Sequence, residues 1–296
     1  MRFIPALAAL AICALSPSGP SAAADCPGNP DALGVSRTVE IDTTGGPGFG
    51  FQHYKTYDFL EKGEVVLTFD DGPVAHLTGE VLAALEAECV KATFFPIGKQ
   101  AIGYPEVLRE IAKAGHTIGG HTWLHKDLGR MARKGQLDEA KAEIEKGMSA
   151  IHLALGSQNS PFFRFPFLKD SPELLAYLAE RNMAVFSTDI DSFDFKGGKP
   201  EKMIERVMKR LDDTGKGILL FHAIQQVTAK ALPKLLRELK AKGYRVVHLT
   251  AKDALATLPA YDEEVGKDFK GGVADAGGRP LSSVVKTVGS DSTATQ

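Results

Sequence analysis

From Glu64 onward the apolar positions follow two alternating rhythms. Short runs rich in β-branched and aromatic residues predict strands over Val65–Phe69, Ala92–Phe95, His116–Gly119, Phe162–Phe165, Met183–Ser187, Gly217–Phe221 and Tyr244–His248. Between them, apolar residues three and four apart predict helices over Leu77–Glu88, Pro105–Ala114, Gln136–Leu155, Glu201–Leu211 and Ala229–Lys240. Another helix opens at Ser171-Pro172-Glu173, where serine suits the N-cap and proline the first turn. Such alternation builds an α/β fold on a parallel sheet. Seven units without a nucleotide-binding fingerprint favour a barrel over an open sheet, and a barrel collects its chemistry at the C-terminal ends of its strands.

The flanks lack these rhythms. Residues 25–62 are rich in Gly, Pro and Thr, including Gly45-Gly46-Pro47-Gly48, and are expected to lie as an extension on the surface of a domain spanning residues 63–250. Residues 251–296 are expected to form a helix or turn and then, beyond about Asp262, a disordered polar tail. Residues 1–24 combine Arg2, an apolar run from Phe3 to Leu15 and the small residues Ser21-Ala22-Ala23-Ala24. That pattern predicts a secretion signal cleaved near Ala24, and the run is too short for stable membrane insertion. The expected location is therefore secreted or periplasmic. Of three cysteines, Cys13 lies in that segment, which leaves Cys26 and Cys89 as either one disulfide or two separate thiols. A net charge of −2 gives no reason to expect nucleic acid or an anionic membrane as partner.

The strand ends carry candidate chemistry. Asp70 and Asp71 close the first apolar run, where Gly72-Pro73 breaks the strand and lets both carboxylates enter one site. His121 and His125 are four apart, a spacing that stacks two imidazoles on one face of a helical turn. With Asp71 they make a two-histidine, one-carboxylate set suited to a divalent metal, zinc above all and cobalt or nickel as alternatives. Asp70 is left beside the metal as a general base. Arg164, between Phe163 and Phe165, is expected to orient Asp70 and hold its negative charge. One of Asp189, Asp191 and Asp194 is expected to bond His222, raise its pKa and prepare it as an acid. His116 is expected to be a core histidine. Together these residues imply a metal-dependent hydrolase.

Five segments in order, Thr68-Phe-Asp-Asp-Gly-Pro73, His121-Thr-Trp-Leu-His125, Arg164-Phe-Pro-Phe167, Asp191-Ser-Phe-Asp-Phe195 and Leu220-Phe-His222, resemble the motifs of the polysaccharide deacetylases, the NodB-homology domain of carbohydrate esterase family four. The resemblance implies a distorted (β/α)7 barrel. It implies Asp70 as base, Asp71, His121 and His125 as metal ligands, Arg164 as the partner of Asp70, and Asp194 as the tether of the acid His222. Leu220 would line an acetyl pocket, and the Phe167 N–H would contact the oxyanion. The substrate implied is an N-acetylated glycan such as chitooligosaccharide or peptidoglycan. An O-acetyl esterase acting on xylan or exopolysaccharide and a non-catalytic glycan-binding domain are the alternatives. Phe165, Phe167 and Leu168 replace the usual Pro-Pro-Tyr-Gly pattern, Phe195 a frequent Trp and Ala223 a frequent Asp. These changes bear on substrate preference and leave the catalytic set intact.

Overall fold

The computed structural model describes residues 26–277. The expected secretion signal, Cys13 and the far end of the C-terminal tail lie outside the described residues. In chain order the elements are β1 (Arg37–Ile41), β2 (Gly48–Phe49), β3 (Glu64–Asp71), α1 (Ala75–Ala87), β4 (Thr93–Pro96), α2 (Gly98–Gly103), α3 (Pro105–Lys113), β5 (Thr117–Ile118), α4 (Leu128–Arg133) and α5 (Leu137–Leu155). There follow β6 (Phe162–Phe163), α6 (Pro172–Glu180), β7 (Ala184–Phe186), β8 (Ile190–Asp191), α7 (Pro200–Thr214), β9 (Gly217–His222), α8 (Gln226–Ala241), β10 (Arg245–Ala251) and α9 (Pro259–Gly277).

All strand pairs are parallel. One sheet holds seven strands, with β3 paired to β4, β9 and β10, and the other runs β2-β7-β6. A bridge between Gly120 and Phe163 joins the sheets beyond β5. The ring therefore runs β8-β9-β3-β4-β5-β6-β7, and among the described residues no pair joins β7 to β8. This is a distorted barrel with a seam.

β3 shows how the sequence builds both the core and the site. Its outward residues Val65, Leu67 and Phe69 pack with Leu85, Phe94, Phe221 and Leu232 under the helices. Its inward residues begin with Val66, which packs against Phe95, Phe162 and Phe186 inside the ring. By the same alternation Thr68 and Asp70 point inward, so the apolar interior gives way to polar groups at the C-terminal end of the strand. Ser171 caps α6 through the Leu174 N–H at 3.3 Å, with Pro172 in the first turn, as its sequence predicts.

Two expectations for the flanks are corrected. The extension does not simply lie on the surface: β1 pairs with β10 and β2 with β7, and Ile41, Phe49 and Leu60 are buried. These strands are short and interrupted by Gly and Pro, which hid their period. The chain beyond Asp262 is helical to Gly277 rather than disordered. α9 is anchored by buried Val265, which packs with Trp123 and Ala150, and by an ion pair from Lys146 to Glu264 at 2.5 Å. One well-placed apolar residue is too little to register in composition. Cys26 and Cys89 form a disulfide that ties the extension to the end of α1.

Candidate active site

Asp70 ends the inward row of β3 at 2 % exposure and receives a hydrogen bond from Arg164 Nη1 at 2.7 Å. Arg164 follows β6 and is fully buried. Its guanidinium also donates to Thr68 Oγ1 at 2.8 Å, to the Ser187 carbonyl at 2.8 Å and to the Phe186 carbonyl at 3.3 Å, and it lies 4.4 Å from the centre of the Phe95 ring. A buried cation needs this many partners, because removing charge from water without them costs several kcal/mol. The expected carboxylate partner is thus found, along with three acceptors the sequence did not indicate.

Asp71 should point outward by strand alternation, yet it shares the site with Asp70. Its φ of 74° puts it in the left-handed region, which turns the side chain back over the strand end. His121 follows β5 and its Nδ1–H donates to the Arg164 carbonyl at 2.7 Å, which leaves Nε2 as the lone-pair nitrogen. That Nε2 lies 3.6 Å from Asp71 Oδ1, and His125 Nε2 lies 3.4 Å from the same oxygen. The three donor atoms all fall within 4.8 Å of one another. Asp71 Oδ1 is buried and has no hydrogen-bond partner among the described residues. These separations are too long for hydrogen bonds. The two distances to Asp71 Oδ1 come close to the spacing of about 3.3 Å between ligands on a tetrahedral ion with bonds of about 2.0–2.1 Å. A divalent ion of the zinc type fits this donor set. Burial, then the neighbouring His121, lowers the His125 pKa and favours the neutral, ligating form.

The histidine pair is not on a helical turn, and that expectation is corrected. Residues 121–127 form an irregular loop in which Thr122 and His125 have φ of 67° and 57°. The rings still meet, with centres 4.9 Å apart. Helix α5 holds the loop. The Trp123 N–H donates to the Glu143 carbonyl at 2.8 Å and the Leu124 N–H to its carboxylate at 2.9 Å. Gly147 allows the approach, since a Cβ there would lie 2.6 Å from the Thr122 carbonyl carbon.

His222 ends β9 beside Asp70. Its Nδ1–H donates to Asp194 Oδ1 at 2.6 Å and its backbone N–H to Asp194 Oδ2 at 2.7 Å, while Thr228 donates to the same Oδ2. Burial alone would depress the His222 pKa, but the bond to and charge of Asp194, with Asp70 and Asp71 nearby, raise it to about 9. Of the three acids near this loop Asp194 is therefore the tether. Asp189 accepts from the Phe51 and Ile218 N–H groups, and Asp191 from the Phe193 N–H. His116 is the buried core histidine expected, accepting from the Ala92 N–H at 3.1 Å.

Asp70, Asp71, His121, His125 and His222 open into one cavity of about 400 Å³, with Leu220 and Phe167 also in its wall and Arg164 and Asp194 standing behind. Phe167 is 57 % exposed and sets its ring edge-on to His125 at 4.7 Å. Gln52, Asp191 and Phe195 also line the cavity. Gln52 comes from the extension and carried no signal. Glu143 was legible in principle, being an acid on the same helical stripe as Ala140, Ile144 and Gly147.

The sequence profile of the family described as polysaccharide deacetylase matches residues 59–186. A peptidoglycan-N-acetylglucosamine deacetylase of Bacillus cereus is 32% identical over 192 residues, 64% of this chain and 67% of its own length. A chitin deacetylase of Colletotrichum lindemuthianum is 29% identical over 211 residues, 67% of this chain and 82% of its own. The solved structure of a peptidoglycan deacetylase from Bdellovibrio bacteriovorus superposes with a TM-score of 0.65 at 37% identity, covering 73% of this chain and 59% of that one. Coverage of other curated relatives is lower, 37% for a peptidoglycan-N-acetylmuramic acid deacetylase of Bacillus subtilis. The chain belongs to the polysaccharide deacetylase family and by that membership is a hydrolase of the deacetylase class.

Proposed function

We propose that this protein is a metal-dependent N-deacetylase that removes acetyl groups from N-acetylglucosamine units of chitooligosaccharide or peptidoglycan and releases acetate. One observation carries the reading. Two proton-transfer groups, Asp70 and His222, line the same cavity as the Asp71, His121 and His125 donors, and each is bonded to its own buried partner, Arg164 or Asp194. The names of the relatives support an N-acetylated glycan as substrate.

Asp71, His121 and His125 would hold the ion, which when bound supplies Lewis-acid polarisation of the acetyl carbonyl and acidifies water. Asp70, oriented by Arg164, accepts the proton of the attacking water. His222, kept protonated by Asp194, donates to the departing sugar amine, and an amine is a poor enough leaving group to need that proton. The Phe167 backbone N–H is proposed as an oxyanion donor, and Leu220 as the apolar wall against the acetyl methyl. Residues 1–24 are proposed to direct secretion, and the Cys26–Cys89 disulfide accords with an oxidising compartment.

The test is acetate release from N-acetylated chitooligosaccharides and from peptidoglycan, before and after chelation, with zinc restored and with Asp70→Asn in parallel. Release should vanish on chelation, return with zinc, and fall at least 10²-fold in the variant. Release indifferent to chelation overturns the metal role. A protein that binds zinc yet releases no acetate from either substrate overturns the N-deacetylase reading.

A further inference from the structure

Trp123 is the one tryptophan of the chain, and it stands between His121 and His125. It is 7 % exposed while its neighbour Leu124 is 44 % exposed, so the tryptophan is the apolar anchor of the histidine loop. The ring occupies a slot made by three helices. On one side lies the first residue of α2, where a Cβ on Gly98 would come within 2.7 Å of Trp123 Cε3. Ala150 of α5 and Val265 of α9 pack with it to complete the slot, and Val265 is 1 % exposed. Lys99 Nζ sits 4.8 Å from the ring centre and 3.4 Å from Asp268 Oδ2 of α9.

The slot bears on the metal donors through the backbone. Thr122 and His125 are in the left-handed region, and such conformations persist only where the surroundings impose them. Part of the restraint is hydrogen bonding: the Gly98 N–H donates to the Thr122 carbonyl at 2.9 Å and the Lys99 N–H to the Trp123 carbonyl at 3.1 Å. The rest falls to Trp123, which is the large buried side chain between the two histidines. Its cover, α9, lies beyond residue 186, where the match to the family profile ends. The matched region therefore holds the metal donors, and a helix outside it closes the slot behind them.

We propose that Val265 is a positioning residue for the metal site: with α9 docked, it confines Trp123 in its slot and so keeps His121 and His125 aimed at the ion. Docking of α9 and zinc binding are then coupled, each strengthening the other by the same factor. The proposal rests on the metal-binding reading of Asp71, His121 and His125, and not on deacetylation. Val265→Asp, Val265→Ala and Val265→Ile are compared with native protein by two measurements, with folding verified by circular dichroism. Trp123 fluorescence reports the slot, and competition against a chromophoric chelator reports zinc affinity. Val265→Asp should move the emission to longer wavelength and weaken zinc binding about tenfold or more, as loss of an outer support of a metal site does. Val265→Ala should do both to a lesser degree, and it carries the test if the aspartate variant does not fold. Val265→Ile, which keeps the apolar contact, should stay within about twofold of native affinity. Saturating zinc should draw the emission of the weakened variants back toward the native position. Emission that moves while zinc affinity holds reduces Val265 to a packing residue and overturns the proposal, as does unmoved emission in the folded variants. If native protein binds no zinc, the metal reading and the proposal fall together. If the variants lose zinc affinity but native protein releases no acetate, the positioning role stands and the deacetylase reading falls.

Discussion

His222 is held between opposing pulls: burial favours its neutral imidazole, and Asp194 outweighs burial to raise its pKa to about 9. A group raised in the fold adds stability that is fully present below its ordinary value of about 6.5 and is lost as pH rises through about 9. The same charge is what an acid catalyst needs. Asp194→Asn keeps the shape but removes the charge, so the alkaline limb of the kcat/KM profile should move to lower pH by at least one unit. A profile recorded from pH 6 to 10 checks this, and an unmoved limb would dissociate Asp194 from the acid role. Residue types made this pairing readable: a histidine ending an apolar run with three acids nearby left only the choice of acid open. What the sequence concealed was backbone conformation. Nothing in Asp70-Asp71 states that Asp71 takes a φ of 74°, and the four-residue spacing of His121 and His125 suggested a helical turn that the chain does not form. The side chains converge anyway, because left-handed residues at Asp71, Thr122, His125 and Phe167 are imposed by surrounding packing at a cost of order 1–3 kcal/mol each.

At the scale of elements, the histidine loop depends on α5. Glu143 is buried, accepts the Leu124 N–H and pairs with Lys126 at 2.7 Å. Its own backbone carbonyl receives the Trp123 N–H, and that bond survives truncation of the side chain. Glu143→Ala should therefore loosen the aim of His125 without unfolding the helix, weakening zinc affinity by about 10–100-fold, the range for outer partners of a metal site. Competition against a chromophoric chelator measures it. Affinity equal to that of the native protein would mean that backbone bonds and the contact at Gly147 suffice to hold the loop. The long elements were legible because each carries a full apolar face: α5, α7, α8, β3 and β9 lie within about three residues of where the periodicity puts them. The short ones, α2, α4 and β8, were not, since six residues or two give no measurable period and their form follows from the loops they join.

At the scale of the whole molecule, the barrel is completed by chain that sequence pattern assigned to its surface. β1 extends the large sheet through β10, β2 flanks β7, and the segment after β2 bonds to the connection between β7 and β8, the Gln52 N–H donating to the Thr188 carbonyl at 3.0 Å. The disulfide between Cys26 and Cys89, 63 residues apart, fastens the start of this chain to the end of α1, with the Leu33 N–H donating to Glu88 beside it at 2.9 Å. A crosslink of that span restricts the unfolded chain, and loop-closure entropy assigns it on the order of 4 kcal/mol of stability. The site itself hangs on β3, β5, β6 and β9, none of which the disulfide touches, so stability and chemistry should separate. Cys26→Ser with Cys89→Ser, or reductant added to the native protein, should lower the urea midpoint markedly while kcat/KM at 25 °C stays within about twofold. Equal midpoints for oxidised and reduced protein would mean that the strand pairing of β1 and β2 already fixes the extension. A fall in kcat/KM to match the fall in stability would instead mean that the extension holds the reacting cavity in shape, through Gln52 in its wall.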